Sequence, residues 1–120
     1  MAVILVVDDE EIVIRVATTA LKRAEHTVHT ARSGAEADRI AAELPHIDAL
    51  IVNHRIVPEN GRAIAERLVR KHADAKVMHI SGYPRQHLEQ EDGLFPGAAY
   101  LAKPFTVQQL QDSVAALLAS

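Results

Sequence analysis

The chain opens on an uninterrupted apolar run, Ala2-Val3-Ile4-Leu5-Val6-Val7, rich in β-branched residues and stopped abruptly by Asp8-Asp9. So short a run reads as a strand, and because it is apolar at every position rather than every second one, it must be buried on both faces. A parallel sheet covered by helices on both sides provides that environment, so this one segment already points to a layered α/β domain. Ala49-Leu50-Ile51-Val52 and residues 76–80 repeat the pattern, Ala99–Ala102 is a fifth strand, and Thr27–Ala31 is rich in strand-forming residues.

Between the strands the apolar period becomes helical. Over residues 10–24, Val13, Val16, Ala17, Ala20 and Ala24 recur on one face, with Glu10 and Glu11 at the end where the helix dipole favours anions. Ser33-Gly34-Ala35-Glu36 is a capping-box sequence for a second helix that Pro45 must follow. A polar loop with Pro58 and Asn60-Gly61 leads into a helix over 62–72, and Thr106 with Gln109 opens a last helix carrying Val107, Leu110, Val114, Leu117 and Leu118. Residues 85–92 are helix-compatible but offer only Leu88 as an apolar anchor, so a short or mobile element is expected there. Five strands alternating with about five helices, joined by right-handed crossovers, predict a doubly wound parallel sheet over residues 1–120, one domain without linker or repeat.

Composition narrows the function. With 120 residues and no cysteine, the chain folds without disulfides, has no thiolate zinc site or Cys nucleophile, and suits a reducing cytoplasm. Thirteen Lys+Arg against 16 Asp+Glu leave a formal charge of −3, and aromatic residues make up 3%, so neither a nucleic-acid footprint nor a stacking platform is present. No apolar run approaches a membrane span, and no export leader precedes the first strand. The seven histidines show no HExxH spacing; His54 alone stands near the strand ends that matter, and is expected as a solvated loop residue.

In doubly wound folds, ligands sit beyond the carboxyl ends of the strands, which singles out Asp8-Asp9, Asn53, Ser81 and Lys103. An acid pair can hold a hard cation such as Mg²⁺, while a hydroxyl and a lysine can take the charge of a phosphoryl group. Each residue also has a plain structural reading: Asp9 as a helix N-cap, Ser81 as a turn former before Gly82-Tyr83-Pro84, Lys103 as a surface lysine. Ile12, Ile14 and Leu21 give the first helix more apolar surface than one stripe needs, for a docking face or a wide contact with the last helix.

Taken together, Ile4-Leu5-Val6-Val7-Asp8-Asp9-Glu10, Ala31-Arg32-Ser33-Gly34-Ala35-Glu36-Ala37, Ser81-Gly82 and Lys103-Pro104-Phe105 resemble the receiver domain of two-component response regulators over essentially the whole length. The resemblance implies a flavodoxin-like sheet of strand order 2-1-3-4-5 with helices on both faces. It also implies an Asp that accepts a phosphoryl group from a histidine kinase or phosphotransfer protein. Asp9 would bind Mg²⁺ directly, Asp8 through water, and the Arg55 backbone carbonyl would add a ligand. Ser81 and Lys103 would contact the phosphoryl oxygens, and Tyr100 matches the family's switch aromatic. The implied module is no enzyme and has no catalytic residue of its own. Its partners are a kinase or phosphotransfer protein and a downstream effector, and a homodimer is compatible with it.

The departure lies at the centre. Where the family has its acceptor Asp, this chain has Asn53, and a neutral amide is a poor nucleophile and a weaker cation ligand than a carboxylate. Pro58 also stands five residues after Asn53 where the family usually has it four after, while Gly61 keeps its place. The chain therefore reads as an atypical or pseudo-receiver with weakened Mg²⁺ binding, in which Lys103 pairs with Asp8 or Asp9. Two alternatives stand beside it: a Mg²⁺-dependent aspartyl phosphotransferase or phosphatase using Asp8 with Glu10 as second acid, and a conventional receiver carrying an engineered Asp-to-Asn change.

Overall fold

The computed structural model describes residues 1–84 and 93–120. Five parallel strands, β1 (Val3–Val7), β2 (Thr27–Ala31), β3 (Ala49–Asn53), β4 (Lys76–Ser81) and β5 (Ala99–Ala102), form one sheet in the order β2-β1-β3-β4-β5. Among the described residues four helices cover it: α1 (Glu11–Arg23), α2 (Gly34–Glu43), α3 (Gly61–Lys71) and α4 (Val107–Ala119). This is the flavodoxin-like doubly wound sheet. The helix-compatible stretch 85–92 lies outside the described residues.

The uniform apolarity of β1 resolves into two faces, because successive strand side chains point to opposite sides. Ile4 and Val6 join Val13, Ala17 and Leu21 of α1 and Leu110 and Val114 of α4 in one core. Leu5 and Val7 join Ala37 and Ala41 of α2 and Ile64 and Leu68 of α3 in the other. Each large apolar side chain withdrawn from water this way contributes about 1.5–3 kcal/mol, which is why β1 carries no polar residue before Asp8. The surplus apolar surface of α1 is mostly core contact: Leu21 is buried and Ile14 packs against the α1 and α4 side, whereas Ile12 remains 68% exposed. Among the described residues no helix is long and apolar enough to cross a membrane.

Local signals behave as their chemistry dictates, with two corrections. At α4 the reciprocal capping box is complete: Gln109 N–H donates to Thr106 Oγ1 at 3.0 Å and Thr106 N–H to Gln109 Oε1 at 2.8 Å. At α2 only half of it forms. Glu36 N–H donates to Ser33 Oγ at 3.1 Å, but the Glu36 carboxylate accepts from Arg32 N–H at 2.9 Å. Ser33 sits at φ −151° where Thr106 sits at −87°, so the two caps differ in backbone conformation. The second correction concerns the loop after β3, which pairs with itself: Arg55–Ile56 and Glu59–Asn60 form an antiparallel hairpin with Val57 and Pro58 at its tip. Ile56 is buried in the α2 and α3 core, Glu59 is ion-paired with Arg67 of α3, and Arg67 reaches Asp38 of α2 at 3.3 Å. Asn60 then caps α3, its Oδ1 accepting from Ala63 N–H at 2.8 Å.

Candidate functional site

Parallel strands end at one edge of a sheet, and the register here aligns those ends: Val7 lies beside Val52, Asn53 beside Ile80, and Ser81 beside Ala102. Asn53, Ser81 and Lys103 thereby line a common cavity of about 570 Å³, with Glu10 and Arg55 completing its polar side and Ile12, Val13, Val16, Pro104 and Phe105 its apolar side. Asp8 sits behind it, wholly buried and joined to it through Lys103.

The Asp8 carboxylate does two things at once. Its Oδ1 accepts the Glu10 N–H at 2.9 Å, and its Oδ2 stands 2.9 Å from Lys103 Nζ. Lys103 Nζ also donates to Glu10 Oε1 at 2.7 Å, and the lysine side chain is only 13% exposed. Burial raises the Asp8 pKa above the ordinary carboxylate value, and the Glu10 N–H and Lys103 only partly offset that. Burial also pulls Lys103 down, but Glu10 and Asp8 outweigh it and hold the ammonium above its usual range. Lys103 is thus a retained cation shared by one buried and one exposed carboxylate; of the expected partners Asp8 or Asp9 it meets Asp8, and its second partner is Glu10.

Asn53 is buried, and its Nδ2 donates to the Arg55 backbone carbonyl at 2.9 Å. Only an amide can make this contact, since an ionised carboxylate has no proton to donate. Ser81 is buried too; its Oγ accepts from Tyr83 N–H at 3.0 Å, so it forms a turn while lining the cavity. Tyr100 donates its hydroxyl to the Tyr83 carbonyl at the edge of the site, and the Arg55 guanidinium lies 6.0 Å from the Tyr83 ring centroid. Gly61 closes the floor: a Cβ there would meet the Asn53 carbonyl oxygen at 2.1 Å, so only glycine lets α3 approach this closely.

Two expectations change. Asp9 is not the α1 N-cap; Glu10 holds that position without a side-chain cap bond, its N–H donating to Asp8 and its carboxylate engaged by Lys103. Asp9 is exposed and does not line the cavity. His54 is not solvated: it is 2% exposed, and its backbone N–H donates to Ile80 O at 2.9 Å, continuing the β3 pairing. Two further contacts have no counterpart in strand-end reasoning. Glu10 is a lysine partner, a role hinted at only by its place in the same turn as Asp8. His79, wholly buried on β4, joins β3 to the segment before β5, with Nδ1 at 3.1 Å from Val52 O and Nε2 accepting from Phe95 N–H at 3.2 Å. Among the described residues no group of three or more His, Cys, Asp or Glu is gathered as a metal-binding set.

A doubly wound sheet with a carboxylate, an amide, a hydroxyl and a lysine on one rim defines a receiver-type fold and site. The chain belongs to the response regulator receiver domain family, whose model matches residues 4–115. It is 32% identical over 118 residues to the sensor kinase CckA of Brucella abortus (strain 2308), covering 98% of this chain and 12% of that protein, so it spans only a small part of that curated relative. Among solved structures, a response regulator receiver protein from Sinorhizobium medicae WSM419 is 28% identical with a TM-score of 0.84, covering 99% of this chain and 95% of that one. A response regulator protein from Burkholderia pseudomallei, solved with a phosphorylated aspartic acid, calcium ion and citrate, is 26% identical with a TM-score of 0.78, covering 98% of this chain and 66% of that one.

Proposed function

We propose that residues 1–120 form a pseudo-receiver: a two-component signalling module that works through protein–protein contacts and takes no phosphoryl group at residue 53. The observation that carries this reading is the hydrogen bond from Asn53 Nδ2 to the Arg55 carbonyl, which commits the acceptor position to a donor instead of a nucleophile. The remaining roles follow the family pattern. Ser81 and Lys103 are the phosphate-facing residues, Tyr100 the switch aromatic, and Asp8, Asp9 and the Arg55 carbonyl the remnant of a Mg²⁺ site weakened by the loss of one carboxylate. The Burkholderia pseudomallei protein, with its phosphorylated aspartic acid and calcium ion, supports that placement by likeness of fold and sequence.

The partners are a histidine kinase or phosphotransfer protein and a downstream effector, in a cytoplasmic setting; the match to a stretch of a sensor kinase supports this circle of partners. The domain itself is not a catalyst. Acetyl phosphate with Mg²⁺, followed by intact mass, tests the proposal. The chain gains no hydroxylamine-sensitive phosphoryl group, whereas Asn53→Asp gains one, because Asp8, Ser81 and Lys103 are all in place. A phosphoryl group on the unaltered chain mapping to Asp8 or Asp9 would overturn it.

A further inference from the structure

Two contacts in the site share one electrostatic logic. A divalent cation bound by a receiver-type acid cluster brings positive charge to the carboxylates and to the backbone carbonyl after the acceptor residue. Here the Lys103 ammonium lies 2.9 Å from the buried Asp8 carboxylate, and the Asn53 amide donates to the Arg55 carbonyl at 2.9 Å. The residues as they stand do not fit a bound Mg²⁺: one oxygen donor faces an ammonium and another already accepts a hydrogen bond. The Arg55 carbonyl keeps a second lone pair, but a cation there meets the positive N–H end of the Asn53 amide, so the hydrogen bond and the metal oppose each other at one oxygen.

We propose that Asn53 and Lys103 together stand in for the divalent cation, so that the domain keeps one conformation with or without Mg²⁺. This rests on the receiver-type placement of Asp8, Asn53 and Lys103 given above, and adds a specific role for the amide. Asn53 is a cap on the Arg55 carbonyl, not merely a missing carboxylate. Glu10 supports the arrangement by holding Lys103 from the solvent side at 2.7 Å, so the ammonium is braced between two carboxylates on the β1 to α1 turn.

The cap separates from simple charge counting in one variant. If Asn53 matters only as a lost carboxylate, or if its Oδ1 is itself a cation ligand, Asn53→Ala binds Mg²⁺ no better than the unaltered chain. If it is a cap, Asn53→Ala removes the amide donor from the Arg55 carbonyl and binds Mg²⁺ more tightly, by about three- to tenfold, the worth of one net hydrogen bond. The experiment titrates Mg²⁺ into the unaltered chain, Asn53→Ala and Asn53→Asp, following backbone and side-chain amide resonances of residues 8–10 and 53–56 by NMR. Tighter binding by Asn53→Ala supports the proposal; equal or weaker binding overturns it.

The unaltered chain supplies a second reading that needs no variant to fold. Its Asn53 side-chain amide resonances stay in place at Mg²⁺ concentrations that saturate Asn53→Asp, and a saturating shift there at the same concentrations overturns the cap. The receiver reading is scored apart from this. Asn53→Asp that accepts a phosphoryl group while Asn53→Ala gains no metal affinity leaves the family site standing and removes the stand-in.

Discussion

His79 makes the fold sensitive to acid in a way that can be worked from its surroundings. The ring is wholly buried, donating from Nδ1 to Val52 O and accepting at Nε2 from Phe95 N–H, so it is neutral with a defined tautomer. Burial, partly opposed by the Val52 hydrogen bond and reinforced by His54 and Arg62, pushes its pKa from 6.5 down to about 4. Between those values the unfolded chain binds a proton that the native ring refuses, so unfolding takes up a proton and stability falls as the pH falls. The slope is about 1.4 kcal/mol per pH unit, which gives a loss of about 2 kcal/mol by about pH 5 and a plateau of about 3 kcal/mol below the native pKa. Protonation at Nε2 also removes the acceptor for Phe95 N–H, so the segment leading into β5 loosens first. Urea unfolding of the unaltered chain and His79→Gln, at about pH 7 and about pH 5, isolates the effect, since other titrating groups cancel in the difference. The stability difference between the two proteins shrinks by about 2 kcal/mol on acidification. Parallel pH profiles would refute the assignment of a neutral, buried His79.

Two further outcomes follow from backbone geometry. Gly61→Ala places a Cβ 2.1 Å from the Asn53 carbonyl oxygen and 3.0 Å from His54 Cα, both backbone atoms. The variant loses about 1–3 kcal/mol, read as a lower Tm, and an unchanged Tm would show that α3 has room to back away. Glu25 occupies the left-handed position that ends α1, at φ 68°, with His26 N–H on Leu21 O and Glu25 N–H on Lys22 O completing a Schellman turn. Glu25→Gly therefore raises stability by about 1 kcal/mol, measured as an increase of about 4 °C in Tm; no increase would mean that the strain is absorbed elsewhere.

What the order of residues determined by itself was everything carried by local periodicity. Apolarity at every position of β1 demands cover on both faces, and the α4 capping box needs only Thr106 and Gln109 three residues apart. The rim residues Asp8, Asn53, Ser81 and Lys103 were legible for the same reason, because a strand's end is marked by where its apolar run stops. The direction of each side chain at that rim was decided only in the tertiary structure. Lys103 pairs with Glu10 across 93 positions of sequence, and His79 reaches Val52 across 27, contacts that exist because the sheet order makes β1, β3, β4 and β5 neighbours at one edge. The exposure of Asp9 beside a buried Asp8, the burial of His54, and the turn of the Asn53 amide toward Arg55 likewise come from the partners that packing supplies. A residue's type sets what it can donate or accept, and the fold alone sets which group it meets.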